Sequence, residues 1–538
     1  MTQTLPTPAD TVADAATSPR ERWSPRIDGE MLARLASRAA VAAPTEQLSV
    51  ETPFTGRVLT EVPRGTARDI AAACAAARAA QREWARRPAP ERAAVLLRYH
   101  DLVLDNVDEI LDLLQLESGK ARIHAVEEVL DVVIQARYYG HAAAGLLRPQ
   151  RAPGTLPLLT STRIHHRPRG VVGIITPWNY PFALTFGDAL PALVAGNGVV
   201  LKPDAMTPLS CLWAADLMER AGLPVGLLQV VPGRGSELGT PLIEAADFIM
   251  FTGSTTTGRR VAAQCGERLL ECAMELGGKN ALLVLPDAPL RRALPGAVQG
   301  ITSSAGQLCI SIERIYVHDS IYEVFVPDLA ERLKGLRLGS SLTFADDMGS
   351  LTGAGQLAKV RAYVDDAVGK GAEVLAGGRA RPDLGPYFYE PTLLTGVTED
   401  MALCRDEVFG PVAAVYRCSS VDEMVARAND SDRGLNASVW TRDVELGREV
   451  AGRIHAGTVN VNDAYAAAWT SAAPMGGWKE SGIGRRHGRE GLLKYTEAQT
   501  VATQRLFNIG PPPFLSNERY AALTFRAARI LRHMPGVK

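Results

Sequence analysis

The sequence predicts an α/β protein built from a Rossmann-type nucleotide-binding domain, a second α/β domain and a small β arm. Three observations carry this expectation. From residue 171 onward, short β-branched runs alternate with helical stretches, the pattern of parallel strands joined by crossover helices. After Asn280 the same alternation begins again, which calls for a second sheet. Two segments, 147–167 and 494–508, belong to neither series and have the alternation or β-leaning polarity of strands.

Composition agrees with a folded, enzyme-sized chain. Its 538 residues allow roughly two to four domains with ample core. Apolar residues make up 46% and charged residues 22%, and the net charge of −1 gives no global field for nucleic acid. The seven cysteines, at 74, 211, 265, 272, 309, 404 and 418, include no Cys-x-x-Cys, so they read as reduced thiols of a cytoplasmic protein without a metal site. The most apolar stretch, Val171 to Val200, is broken by Pro177, Asn179, Pro181, Asp188, Pro191 and Asn197, so no membrane span is expected.

In chain order, residues 1–25 are rich in Thr, Pro, Ala and Asp and read as a loose tail. Thr66–Trp84 and Pro90–Leu116 have helical periodicity, the second closed by Gly119-Lys120. Residues 26–146 and 168–278 form the nucleotide-binding domain, with strands at Val171–Ile175, Gly198–Leu201, Leu227–Val231 and Asp247–Phe251 and helices at Leu209–Ala221 and Thr255–Arg268. Ligands of such a sheet gather at the carboxyl ends of its strands. Residues 279–480 form the second domain, with strands at Ala281–Leu285, Arg314–Val317, Ala372–Ala376, Pro411–Tyr416 and Ala437–Trp440 and helices at Ser320–Leu333 and Val421–Asn429. His165 and His166 in the arm point to opposite faces of a strand, which excludes a shared metal. In the extension 509–538, Asn517–Met534 is an amphipathic basic helix, suited to docking on protein or to peripheral contact with an anionic membrane.

The chemistry centres on Ser303-Ser304-Ala305-Gly306-Gln307-Leu308-Cys309, where small polar residues present one thiol. A cysteine is nucleophilic as its thiolate. Around it in sequence stand Pro177-Trp178-Asn179-Tyr180-Pro181, Lys202-Pro203, Phe251-Thr252-Gly253-Ser254, Glu275-Leu276-Gly277-Gly278-Lys279-Asn280, Glu407-Val408-Phe409-Gly410-Pro411 and Pro474-Met475-Gly476-Gly477-Trp478-Lys479. In this order the motifs resemble the aldehyde dehydrogenase superfamily over roughly residues 45–505.

The resemblance implies that Cys309 attacks an aldehyde, that Asn179 and the backbone N–H of Cys309 hold the oxyanion, and that Glu275 activates water to hydrolyse the thioester. From the residues alone, Asn179 before Tyr-Pro equally suits a turn, and Glu275 equally suits a solvated strand end. The resemblance further implies a dinucleotide held by Trp178, Lys202, Gly233, Gly253, Ser254, Glu407 and Phe409. Of these, Gly253-Ser254 leading into a helix has its own physical warrant, since helix N–H groups bind phosphate. NADP is expected, with NAD possible, because NAD-preferring relatives place a glutamate where Ala205 stands, and no metal is expected.

Overall the chain resembles the NADP-dependent succinate-semialdehyde dehydrogenase branch. That branch holds the substrate carboxylate with two arginines, whose positions here are Gly187 and Ser303. With Tyr180, Tyr465 and Trp469 lining the tunnel, the departures suggest a more apolar passage and, as alternatives, longer apolar or aromatic aldehydes. A non-catalytic structural relative is the reading from another class, against which the intact set Asn179, Glu275 and Cys309 speaks. The arm implies a homodimer or homotetramer.

Overall fold

The computed structural model describes residues 22–42, 46–153, 160–505 and 510–533. The expected tail 1–25 lies mostly outside these residues, but its end is packed. Arg22 bridges to Asp28, and buried Ser24 accepts the N–H groups of Arg26 and Ile27 through Oγ, at 3.1 and 3.0 Å.

The first sheet contains β1 (Val171–Ile175), β2 (Gly198–Lys202), β3 (Leu228–Val230), β4 (Phe248–Thr252) and β5 (Cys272–Glu275), ordered β5-β4-β1-β2-β3 and parallel throughout. β1, β2 and β4 are buried along their whole length, as helices on both faces require. Strand order reverses between β1 and β4, so a crevice opens beyond Ile175 and Thr252. A short strand, Gly482–Ile483, runs antiparallel to β5 at the edge, with Gly482 opposite Glu275.

The second sheet contains β6 (Asn280–Val284), β7 (Ile312–His318), β8 (Glu373–Ala376), β9 (Thr392–Thr395), β10 (Val412–Cys418), β11 (Asn436–Trp440) and β12 (Thr458–Val461). Their order is β8-β9-β10-β7-β6-β11-β12, with β8 alone antiparallel. The sequence reading misses β9 and β12 here and β5 in the first sheet, each 4 residues long.

Four helices matter for the site: α1 (Arg122–Leu146), α2 (Pro181–Val194), α3 (Thr255–Glu267) and α4 (Leu290–Thr302). Ahead of them, Thr66 and Asp69 form a capping box on the helix Ala67–Arg86. The single helical pattern read over Pro90–Leu116 is two helices, Ala89–Asp105 and Val107–Ser118. They part at Asn106, whose Nδ2 donates to Leu102 O at 2.7 Å and competes with the helix's own bonding. Gly119 closes the second helix at φ +76°. Lys120 is no solvent-facing terminator; it is fully buried beside the site.

The arm is a three-stranded antiparallel sheet of Gln150–Ala152, Thr160–Pro168 and Thr496–Gln504. Residues 154–159 and 506–508 of the predicted arm lie outside the described residues. The helix Asn517–Leu531 forms with no buried residue, leaving Leu523, Phe525 and Ile530 exposed. Among the described residues no helix is long and apolar enough to cross a membrane, and no cluster of metal-binding side chains occurs. All seven cysteines are free.

Candidate active site

Cys309 lies on the connection from α4 to β7. The chain leaves α4 through Ser304, Ala305 and Gly306 at φ +50°, +54° and +68°, three left-handed residues in a row. Two of them carry side chains, so the turn costs energy that its surroundings must offset. At Gly306 an added Cβ would stand 2.1 Å from Gly410 O, so only glycine fits. Gln307 pins the turn: its Oε1 accepts the Thr352 N–H at 2.9 Å and its Nε2 donates to Ser304 O at 3.0 Å.

Beyond the cysteine, asparagines take over. Asn280 Nδ2 donates to Cys309 O and Ser311 O, both at 2.8 Å, and Asn280 Oδ1 accepts the Asn436 N–H at 3.0 Å. Asn436 Nδ2 in turn holds Ile310 O at 3.2 Å. Asn280 and Asn436 open β6 and β11, so the Cys309 loop is tied to the amino ends of the second sheet. The expectation that the site gathers at carboxyl strand ends therefore holds for the first sheet only. Gly278 is bare because a Cβ there would stand 2.4 Å from Cys309 O.

Asn179 follows β1 at the crevice, and its Nδ2 donates to Gln307 O at 2.9 Å. Its second N–H remains available to a developing oxyanion. Lys120 Nζ donates to Asn179 O at 2.8 Å and pairs with Glu128 at 3.2 Å, also sitting 4.0 Å from the Tyr180 ring centroid. This buried lysine fixes the Asn179 backbone, and the sequence reading had taken it for a helix terminator.

Glu275 ends β5 and is only 5% exposed. Burial pushes its carboxyl up to about 7, against the opposing pull of Arg486 and Lys494. Burial, then the Glu275 and Glu407 charges, push the Cys309 thiol up to about 12. Burial thus disfavours the thiolate form of Cys309. Two cavities meet here. One, with about 690 Å³ of free space, is lined by Trp178, Asn179, Gly253, Ser254, Glu407 and Phe409; the other, with about 730 Å³, by Glu127, Asp131, Tyr180, Tyr465, Trp469 and Arg486. Cys309 and Glu275 line both.

The first cavity suits a dinucleotide. Ser254 Oγ caps α3 by accepting the Thr257 N–H at 3.3 Å, leaving other first-turn N–H groups for an anion. Glu407 accepts the Gly278 N–H and Arg433 Nη1, each at 2.8 Å, and a Cβ on Gly277 would lie 2.2 Å from its Oε2. Phe409, at φ +58°, meets Trp178 edge-on with ring centroids 5.5 Å apart. Its loop is held from below by Glu313, which accepts the Val408 and Phe409 N–H groups at 3.1 and 3.0 Å and pairs with buried Lys279 at 2.5 Å. Lys202 and Gly233 stand off this cavity. Lys202 is buried with Nζ 3.5 Å from the Cβ position of Gly235, and Gly233 is bare because its Cβ would meet Leu238 at 2.3 Å.

The second cavity is lined mostly by apolar atoms, but charged groups also stand in its wall. Tyr180, Tyr465 and Trp469 line it as read, but so do Glu127, Glu128, Asp131, Arg486 and His487, which the sequence reading did not single out. Ser303 Oγ donates to Glu127 at 3.2 Å, and Tyr180 OH donates to the same carboxylate at 3.3 Å. Beside Gly187 stands the Arg486 guanidinium.

The model of the aldehyde dehydrogenase family matches residues 40–501. The chain belongs to the aldehyde dehydrogenase family. The dehydrogenase is 51% identical to the "Putative succinate-semialdehyde dehydrogenase (NADP+)" of Mycolicibacterium smegmatis, over 90% of this chain and 94% of the relative. It is 38% identical to the hydroxyisobutyraldehyde dehydrogenase of Mycolicibacterium austroafricanum, over 95% and 98%. Among solved structures, the NAD+ complex of a Bacillus cereus aldehyde dehydrogenase superposes with a TM-score of 0.81 at 37% identity, covering 85% of this chain and 93% of that one. Betaine aldehyde dehydrogenase of Staphylococcus aureus, in complex with NAD+, gives 0.84 at 30% identity, covering 90% and 99%.

Proposed function

We propose that this aldehyde dehydrogenase oxidises succinic semialdehyde to succinate through a thioester on Cys309, with NADP+ as the preferred acceptor. The observation that carries the mechanism is the position of Cys309 and Glu275 on the boundary of two cavities, one suited to a dinucleotide and one to an aldehyde. The Cys309 thiol gives its proton to solvent as sulfur bonds to the carbonyl carbon, which leaves Glu275 ionised for the later step. Asn179 Nδ2 and the Cys309 N–H receive the oxyanion, an interaction worth about 3–4 kcal/mol per donor in comparable sites. When bound, the dinucleotide accepts the hydride released as the carbonyl re-forms. Glu275 then takes a proton from water, hydroxide adds to the thioester, and the thiol leaves with the acid as product.

Kinship supports succinic semialdehyde, since the relatives at 51% identity carry that name. NADP+ is supported by the ribose-side loop. Ala205 presents no carboxylate, and Asp204 is engaged locally, its Oδ1 accepting the Met206 N–H at 3.0 Å. The free thiols favour a cytoplasmic setting, and the solvent-facing arm favours a dimer or tetramer. A second reading, longer apolar or aromatic aldehydes, rests on the rings of Tyr180, Tyr465 and Trp469. The test is kcat/KM for succinic semialdehyde, hexanal and benzaldehyde with each cofactor. Succinic semialdehyde with NADP+ should lead; a lead for hexanal or benzaldehyde would reject the substrate assignment.

A further inference from the structure

The family's carboxylate-binding arginines are absent at positions 187 and 303, yet a substrate such as succinic semialdehyde brings a second carboxylate into a buried pocket. An unpaired carboxylate there would be strongly disfavoured. We infer that Arg486 is the residue that binds the distal carboxylate of the aldehyde, in a space that Gly187 leaves open for its guanidinium. This rests on the reading of the substrate given above and names the group that makes the reading physically possible.

Four observations carry it. First, Arg486 lines the aldehyde-side cavity together with Cys309 and Glu275, although it is only 6% exposed. Second, its donors are partly uncommitted. Nη2 pairs with Asp188 at 3.0 Å and donates to Leu184 O at 3.4 Å, while Nε is buried without a partner and no hydrogen bond among the described residues engages Nη1. Third, the carboxylate that holds Arg486 is shared: Asp188 meets Arg486 at 3.0 Å, Lys494 at 2.9 Å and Tyr495 OH at 2.7 Å, so its charge is divided between two cations. Fourth, a side chain at 187 would evict the guanidinium, since its Cβ would stand 2.7 Å from Arg486 Nη2 and 3.0 Å from Gln135 Nε2.

The neighbouring acids leave room for this role. Glu127 is engaged by Ser303, Tyr180 and Gln299, and Glu128 by Lys120. Burial pushes Asp131 up to about 6 and Glu275 up to about 7, so Glu275 is only partly charged near neutral pH while Asp131 stays largely charged. His487 stays uncharged, pushed down to about 3 by burial and the Arg486 charge. Asp131 is thus a charged competitor for Arg486, beside Asp188 and the partly ionised Glu275.

The experiment compares succinic semialdehyde with butanal, which has the same chain length and no carboxylate, at saturating NADP+. Glu275 serves both aldehydes, so the ratio of their kcat/KM values cancels any indirect effect of Arg486 on it. Arg486→Gln should lower the ratio by about 10- to 100-fold, through KM for succinic semialdehyde, as loss of a charge-assisted hydrogen bond implies. Arg486→Lys should restore part of it. Asp131→Asn should raise the ratio by removing a competitor. In the unaltered enzyme, succinate should inhibit butanal oxidation competitively at concentrations where butyrate does not, a measurement independent of any variant's folding. An unchanged ratio in Arg486→Gln, in an enzyme that still prefers succinic semialdehyde, overturns the role of Arg486 and leaves the substrate standing. No preference for succinic semialdehyde over butanal in the unaltered enzyme overturns the substrate assignment and this inference together, while butanal turnover still reports an aldehyde dehydrogenase.

Discussion

Replacing Glu275 by glutamine separates the two halves of the reaction. The carboxyl is pushed up to about 7 by burial, so it is about half ionised at pH 7 and about one-tenth ionised at pH 6. A carboxyl whose ordinary pKa has been raised is a base only above the raised value, so wild-type turnover should fall about tenfold per pH unit below 7 and level off above about 8. In Glu275→Gln the base is gone, and thioester hydrolysis should slow by roughly 10²- to 10⁴-fold. The first half should suffer less. Glu275 is one of the charges that hold the Cys309 thiol up, so its removal moves that thiol back toward its ordinary value and makes the thiolate easier to form. Rapid mixing with saturating NADP+ and aldehyde should therefore show a burst of about one reduced cofactor per active site, followed by slow turnover with no pH break near 7. If the burst disappears along with steady-state turnover, Glu275 is indispensable to acylation as well, and the division of labour argued here is wrong.

Cys309→Ala should abolish aldehyde oxidation while NADP+ still binds, as followed by quenching of tryptophan fluorescence; retained turnover would place the nucleophile elsewhere. Ala205→Glu should reduce kcat/KM with NADP+ far more than with NAD+, because like charges about 4 Å apart repel by roughly 1–4 kcal/mol; an unchanged cofactor ratio would show that residue 205 does not face the ribose. Gly306→Ala should destabilise the protein by about 1–3 kcal/mol and cost most of its activity, since the new methyl must displace Gly410 O from 2.1 Å; a wild-type melting temperature with full activity would contradict the tight fit of the turn.

The parts legible in the sequence were those whose signal is local. The strands around Val172, Val199 and Ile249 form unbroken apolar runs, and the helix Val421–Asn429 carries its own Ser420 cap, so both were read correctly. Cys309, Glu275 and Asn179 sit in short motifs whose order along the chain marks the family. What stayed hidden depends on residues far away in sequence. Lys120 looks like a helix-end cation until Asn179 and Glu128 close over it. Arg486 lies in a glycine-rich stretch with no periodicity, and its meaning comes from Asp188 and Gly187, some 300 residues earlier. The charged part of the tunnel wall stays hidden for the same reason: α1 carries Glu127 and Asp131, and nothing local in the sequence ties it to the tunnel. Brevity alone does not explain why strands β9 and β12 escape, since β3 and β8 are no longer and are legible.

The antiparallel edge strand beside β5 has a consequence for the birth of the enzyme. Glu275 is paired with Gly482, and the Leu276 N–H donates to Ser481 O at 2.9 Å, so the segment that fastens the base leaves the ribosome some two hundred residues after the base itself. Arg486 arrives later still, and the second anchor of the cysteine loop, Asn436, more than a hundred residues after Cys309. A ribosome-bound chain that has made the thiol and its glutamate thus holds neither in working geometry. The contacts that fasten Cys309 and Glu275 are complete only when the end of the chain docks.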